Sequence, residues 1–238
     1  MEINELIQIA SEHPSRTARD AGIARSTLNR IAAGKTQPST DSLREIALTL
    51  GFDVEMSVRV AADPGAAQAV RCLLDSHVSE ADEVWLARFE RWGLEGRNLL
   101  ERAGQLSNPS NQKGARFFGW APSLNIPLVV AAAAAGASSG WALSGVAAEN
   151  FWLGAHNPGP TLLWTTESDR TCDLLERTLP QAESLEPAGV AVVQATGTEL
   201  VDRAADGQLF YAAPIQTALD LYGLGLDPTE LTKGWFDE

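Results

Sequence analysis

The feature that most restricts this chain is a pair of glycines, Gly22 and Gly34, bracketing a short run with apolar residues at helical spacing. Leu28 and Ile31 stand three apart on one side of a helix expected over residues 25–33. Gly22 is placed to make the turn before it, since glycine turns the chain sharply at no steric cost. Gly34 ends the helix, and a loop from Lys35 to Pro38 follows. Upstream, Ile3, Leu6, Ile7 and Ala10 predict a first helix over residues 2–11. Pro14 and Ser15 mark a break and a cap before a second, over 16–21, while Thr40 and Asp41 cap a fourth that runs to Leu50. This start can only be a small helical bundle with tight turns.

On the expected third helix, Arg25, Ser26, Asn29 and Arg30 fall at i, i+1, i+4 and i+5, opposite Leu28 and Ile31. Between positions 16 and 35, Arg16, Arg19, Arg25, Arg30 and Lys35 face only Asp20. The chain as a whole carries −13, of which residues 1–60 contribute −1. A basic stripe on an acidic protein points to phosphate contact at one place and repulsion elsewhere.

The run from Ala18 to Pro38, followed by Leu43, Ile46-Ala47 and Leu50-Gly51, resembles the Xre/Cro-type helix-turn-helix of phage repressors. The likeness spans about forty residues and fixes the turn glycine, the two core positions and the Gly34–Pro38 loop together. It implies that the third helix enters the major groove of double-stranded operator DNA. By that resemblance Arg25, Ser26, Asn29 and Arg30 read base edges, Arg suiting guanine and Asn suiting adenine. Ser15, Arg16, Lys35, Thr36 and Gln37 then hold phosphates, which fixes register without selecting sequence. Two positions depart from the family: Pro14 stands where a Gln often opens helix two, and Ala24 replaces the usual Ser or Thr cap.

From Asp53 to Val60, Val54, Met56, Val58 and Val60 alternate with Asp53, Glu55, Ser57 and Arg59, the pattern of a strand buried on one side. It has no evident partner inside the helical unit. Either it pairs with its copy in a second subunit, which makes a homodimer that presents two recognition helices to a palindromic site, or it joins the sheet of the C-terminal part.

Ala61-Ala-Asp-Pro-Gly65 reads as a linker. Helices are expected over 66–74 and 79–92, the second capped by Ser79. Arg88, Arg91, Arg97, Arg102, Lys113 and Arg116 make residues 85–120 locally basic, with a polar loop over 107–114. Beyond Ile126 helix and strand take turns: an Ala-rich helix, a helix over 141–154, a strand over 161–165, a helix over 169–179, strands over 190–195 and 207–211, and a helix over 214–222. The fold class is therefore α+β: an all-α N-terminal helix-turn-helix with a following β-strand, then a mixed α/β domain. The expected domains are residues 1–60, a helical, basic connecting region over 61–119, and an acidic domain over 120–238.

Residues 121–238 hold 15 acids and four bases, an excess that suits a basic partner protein or simply solubility. This half resembles the C-terminal domain of AbiEi-family antitoxins of type IV toxin–antitoxin systems. The likeness rests on a small-residue helix at Ser144–Ala148, the strand Leu162–Thr165, and the Pro-x-Gln to Leu-Asp-Leu ending between Ala213 and Leu221. The family usually carries a winged helix-turn-helix in front, whereas here an Xre-like unit stands first. The resemblance implies operator autorepression and neutralisation of a nucleotidyltransferase-like toxin encoded nearby. A ligand-responsive Xre-family repressor is the alternative, with Trp141, Trp152, Trp164 and Tyr211 as candidate pocket residues.

Other chemistry finds little footing in the sequence. Gly136-Ala-Ser-Ser-Gly140 has the form of a nucleophile elbow, but it lacks a preceding strand and triad partners. His13, His77 and His156 are scattered, and Cys72 and Cys172 have no metal-like spacing, so no enzyme activity, cofactor or metal is expected. The uncharged stretch from Phe117 to Ala148 is built of Ala, Gly and Ser and reads as a buried helix rather than a membrane span. Without a basic, apolar leader, the expected location is the cytoplasm.

Overall fold

The computed structural model describes residues 1–75, 78, 82–119, 126–185 and 189–236. The chain divides into two compact units, residues 1–59 and 60–238. Overall it is α+β, helices first and then a mixed region around a seven-stranded sheet.

The first unit holds α1 (Ile3–Glu12), α2 (Pro14–Asp20), α3 (Arg25–Ala32) and α4 (Thr40–Thr49). Leu6, Ile7, Ala10, Ala18, Leu28, Ile31, Leu43, Ile46 and Ala47 close one core between them. The caps differ slightly from the sequence expectation. Pro14 is the first helical residue of α2, where its missing N–H costs nothing, so Ser15 lies inside the first turn. Ser39, not Thr40 or Asp41, caps α4 by accepting from the Ser42 amide at 3.2 Å.

The expected strand over 53–60 makes no ladder among the described residues. A strand needs a partner to satisfy its backbone, and this unit contains none. Arg44 of α4 grips Asp53 at 3.0 Å and holds that carboxyl below its ordinary range. Val54 packs against the helical core, while Met56, Val58 and Val60 are exposed, Val58 completely.

The second unit holds α5 (Pro64–Leu74), α6 (Glu83–Arg91), α7 (Gly96–Ser107), α8 (Ile126–Ala137), α9 (Val146–Leu153), α10 (Ser168–Leu175) and α11 (Pro214–Gly223). Its strands are β1 (Arg116–Phe118), β2 (Trp141–Gly145), β3 (Thr161–Thr165), β4 (Gln181–Ala182), β5 (Val190–Gln194), β6 (Ala204–Asp206) and β7 (Leu209–Tyr211). They lie in the order β4-β1-β5-β3-β2-β7-β6. β3 pairs parallel to β5 and antiparallel to β2, while β2 pairs parallel to β7. Helices α8 and α10 cover one face through Val129, Ala133, Cys172 and Leu175, packed on Trp141, Leu143, Leu163 and Val192. Helices α5, α6, α7 and α11 form a second core with Trp85, Phe89, Leu100, Leu219 and Leu221. Gly104 allows α7 to approach α11 so closely that a Cβ would collide with the Leu219 backbone and Tyr222.

Several expectations shift here. The helix expected over 141–154 is strand β2 and then helix α9, so Ser144–Ala148 straddles the two. The cause is burial: every residue of β2 is covered, so its sequence does not alternate. Ser79 lies outside the described residues, and Asp82 caps α6 by accepting from the amides of Val84 and Trp85. Residues 136–140 join α8 to β2, a helix-to-strand turn, the reverse of a nucleophile elbow. Among the described residues no helix is long and apolar enough to cross a membrane.

Residues 61–119 and 120–238 meet in shared cores and through buried polar ties. Arg71 of α5 is wholly buried and donates to Asp75 at 2.6 Å and to the carbonyls of Thr198 and Val201. Asp220 of α11, also buried, accepts from Ser144 Oγ at 2.6 Å, Trp164 Nε1 at 2.8 Å and Gln216 Nε2 at 2.9 Å. Burial outweighs these three donors and pushes the Asp220 carboxyl up to about 7. Its ordinary value is 3.8, so the folded state binds the proton more tightly than the unfolded one. This contribution to stability is complete below about pH 4 and is lost as pH rises through about 7, a change on the order of 2–4 kcal/mol. Chemical denaturation across that window should show a flatter profile for Asp220→Asn than for the natural chain; parallel profiles would refute the assignment.

Candidate nucleic-acid interface

Helix α3 owes its place to the turns at either end. α2 closes with the Gly22 amide on Arg19 and the Ile23 amide on Ala18, and α3 closes with Gly34 on Ile31 and Lys35 on Arg30. Both are Schellman closures, and they need the left-handed φ of +66° and +67° at Gly22 and Gly34. Ala24 gives α3 no side-chain cap, as its type predicts. Leu28 at 0% and Ile31 at 7% exposure fix the inner face of α3.

The opposite face is open. Arg25, Ser26, Asn29 and Arg30 are all exposed and share that one side. At the flanks, Ser15 and Arg16 of α2 and Lys35 and Gln37 of the following loop are exposed too. Asp20 engages both arginines of α2, Arg19 at 2.9 Å and Arg16 at 3.6 Å. Arg25, Arg30 and Lys35 have no ion-pair partner among the described residues. The charge left over is therefore concentrated on α3 and its trailing loop. Thr36 stands apart from the other phosphate candidates: its Oγ1 is enclosed and lacks a hydrogen-bond partner, so only a rotated side chain would reach a phosphate.

Residues 15–56 match the family described as Helix-turn-helix. The chain carries a DNA-binding domain. That match supports the Xre/Cro-type reading of the N-terminal unit and marks the protein as a DNA-binding transcriptional regulator. It ends within the exposed segment after α4 and leaves the second unit unassigned. Comparison with curated proteins and with solved structures gives no significant match.

The other sequence-level candidates do not gather into a site. Arg88 stacks on the Trp85 ring at 4.4 Å, Arg116 bonds Asp169 at 3.0 Å and Arg97 bonds Thr229 at 3.0 Å, so much of the basic region is engaged locally. Trp141 and Trp164 are core residues at 1% and 2% exposure. Trp152 donates to the Ala212 carbonyl, and Tyr211 stacks on Phe151. What the sequence could not indicate is the exposed apolar set Leu48, Phe52, Met56 and Val58 beside the helical core, because exposure depends on the chain's path after α4.

Two outcomes are expected on DNA from upstream of the protein's own coding region. Arg30→Ala should cost about 1–3 kcal/mol and relax one base position, whereas Lys35→Ala should weaken all sequences alike and reduce the salt slope by about one. Thr36→Val should leave affinity unchanged, because the enclosed hydroxyl offers the DNA nothing; a tenfold-scale loss, roughly 1.4 kcal/mol, would show that it rotates outward. All three are read by fluorescence anisotropy across a salt series.

Proposed function

We propose that this protein is the antitoxin and transcriptional autorepressor of a toxin–antitoxin operon, neutralising a nucleotidyltransferase-like toxin encoded beside it. The observation that carries the DNA half is the open face of α3, where Arg25, Ser26, Asn29 and Arg30 stand exposed. The toxin half is supported by the AbiEi-like features of the second unit. Residues 162–165 lie in strand β3, and the Pro-x-Gln to Leu-Asp-Leu ending forms α11, with Asp220 as its buried anchor. The 15 acids against four bases in residues 121–238 fit capture of a basic, nucleic-acid-handling protein.

The repressor acts as a homodimer through residues 53–60, in the cytoplasm. Val54, Met56, Val58 and Val60 would lie on one side of an extended segment, and all but Val54 are exposed without cover. Pairing two copies there satisfies both backbone edges and buries that row. It also sets two α3 helices at half-sites one helical turn apart, roughly 34–36 Å. A ligand-responsive repressor is the second reading, favoured by the cavity described below.

Co-expression with the adjacent gene tests the proposal. That gene alone should arrest growth, the full chain should restore it, and residues 1–60 should repress the promoter without rescue. A harmless neighbour would remove the toxin–antitoxin assignment while leaving promoter binding intact.

A further inference from the structure

Between α7 and the segment after α11 lies a cavity of about 410 Å³, lined among others by Arg97, Glu101, Gln105, Tyr222, Asp227 and Thr229. Its volume falls within the range of small-molecule sites, roughly 300–1,000 Å³. Tyr222 is only 8% exposed, with its ring in the α5–α7–α11 core. Its hydroxyl has no hydrogen-bond partner among the described residues, although the side chain lines this cavity. The ring is buried while the hydroxyl opens onto the cavity, where it stands free to donate to a ligand.

The charges around it are arranged in two sets. Arg97 spends one donor on Thr229 Oγ1 at 3.0 Å and keeps the rest of its guanidinium unengaged. Glu101 accepts from Gln105 at 3.0 Å through one oxygen, and Asp227 accepts from the Thr229 amide and hydroxyl, also through one. Each carboxylate therefore has a second oxygen without a partner among the described residues. Burial raises the Tyr222 phenol above its ordinary value; Arg97 opposes this while Glu101 and Asp227 add to it, so all three charges act on the hydroxyl. It stays protonated near neutral pH and serves as a donor. Glu149 of α9 also feels Asp227, after burial the second cause that raises its carboxyl.

We propose that this cavity binds a free basic amino acid, its carboxylate on Arg97 and the Tyr222 hydroxyl and its cationic groups on Glu101 and Asp227. A polyamine would leave the Arg97 and Tyr222 donors without an acceptor. A simple carboxylate would leave Glu101 and Asp227 unpaired. One guanidinium faces two carboxylates, with Glu149 close to Asp227, so a ligand of net positive charge is preferred over an acidic one. The site is built from residues of the second unit alone. It lies where α7 packs on α11, and its occupancy would tighten that contact.

Calorimetric titration of the full chain with L-lysine, L-glutamate and acetate tests the assignment. L-lysine should bind, with L-glutamate and acetate at least roughly tenfold weaker. Tyr222→Phe and Arg97→Gln should each weaken L-lysine by about tenfold, and the ligand-free melting temperature of Tyr222→Phe should stay at the natural value, since the hydroxyl bonds no described residue. The proposal is overturned if L-lysine gives neither heat nor a rise in melting temperature. It is equally overturned if L-glutamate or acetate binds as well as L-lysine, or if both variants bind like the natural chain.

Discussion

Burial of Leu28 and Ile31 is the constraint on which the DNA-reading half depends. Once these two side chains enter the core formed with α1, α2 and α4, the rotation of α3 about its own axis is fixed. Arg25, Ser26, Asn29 and Arg30 then have nowhere to point but outward. The glycine closures do the remaining positioning, because they set where α2 stops and where Lys35 begins. Asp20 refines the charge by occupying Arg16 and Arg19, which leaves the unpaired cations on α3 and the loop behind it. A phosphate backbone therefore meets its strongest attraction at the helix proposed to read bases.

The second unit obeys a different logic. A few of its polar groups are turned inward and engaged: Arg71 ties α5 to the 198–201 loop, and Asp220 ties α11 to β2 and β3. A carboxyl with three donors in a dry core gives specific alignment rather than much net stability, since its desolvation offsets most of the attraction. Such alignment explains how an α11 packed against α7 at the Gly104 close approach keeps one register on the sheet. Apart from this, the acidic surface makes DNA contact by the second unit unfavourable.

The N-terminal unit was legible because its signals are local: apolar spacing of three and four, and a glycine at each sharp end. Its helices fall within two residues of their expected bounds, and the exposed candidates on α3 share one face as the spacing required. Fully covered strands were harder to read. β3 and β5 stood out through β-branched and apolar runs, but Trp141–Gly145 carries Ala, Ser and Gly and is covered throughout, so periodicity could not separate strand from helix. β1 and α7 escaped notice, the one being three residues long and the other part of a stretch read only for its charge. The segment over 53–60 shows a further limit, since its alternation predicts what it does when paired, and pairing depends on a second chain. The Tyr222 cavity was not legible in the sequence, because Tyr222 and Asp227 reach Arg97 and Glu101, one turn apart on α7, only through α7 packing on α11.

Backbone amide shifts on titrating the protein with its own upstream duplex DNA test α3 as the reading helix most directly. The largest changes should fall between residues 14 and 38, centred on Arg25, Ser26, Asn29 and Arg30, with those of residues 60–238 small. Changes concentrated in the second unit, with α3 unmoved, would contradict it.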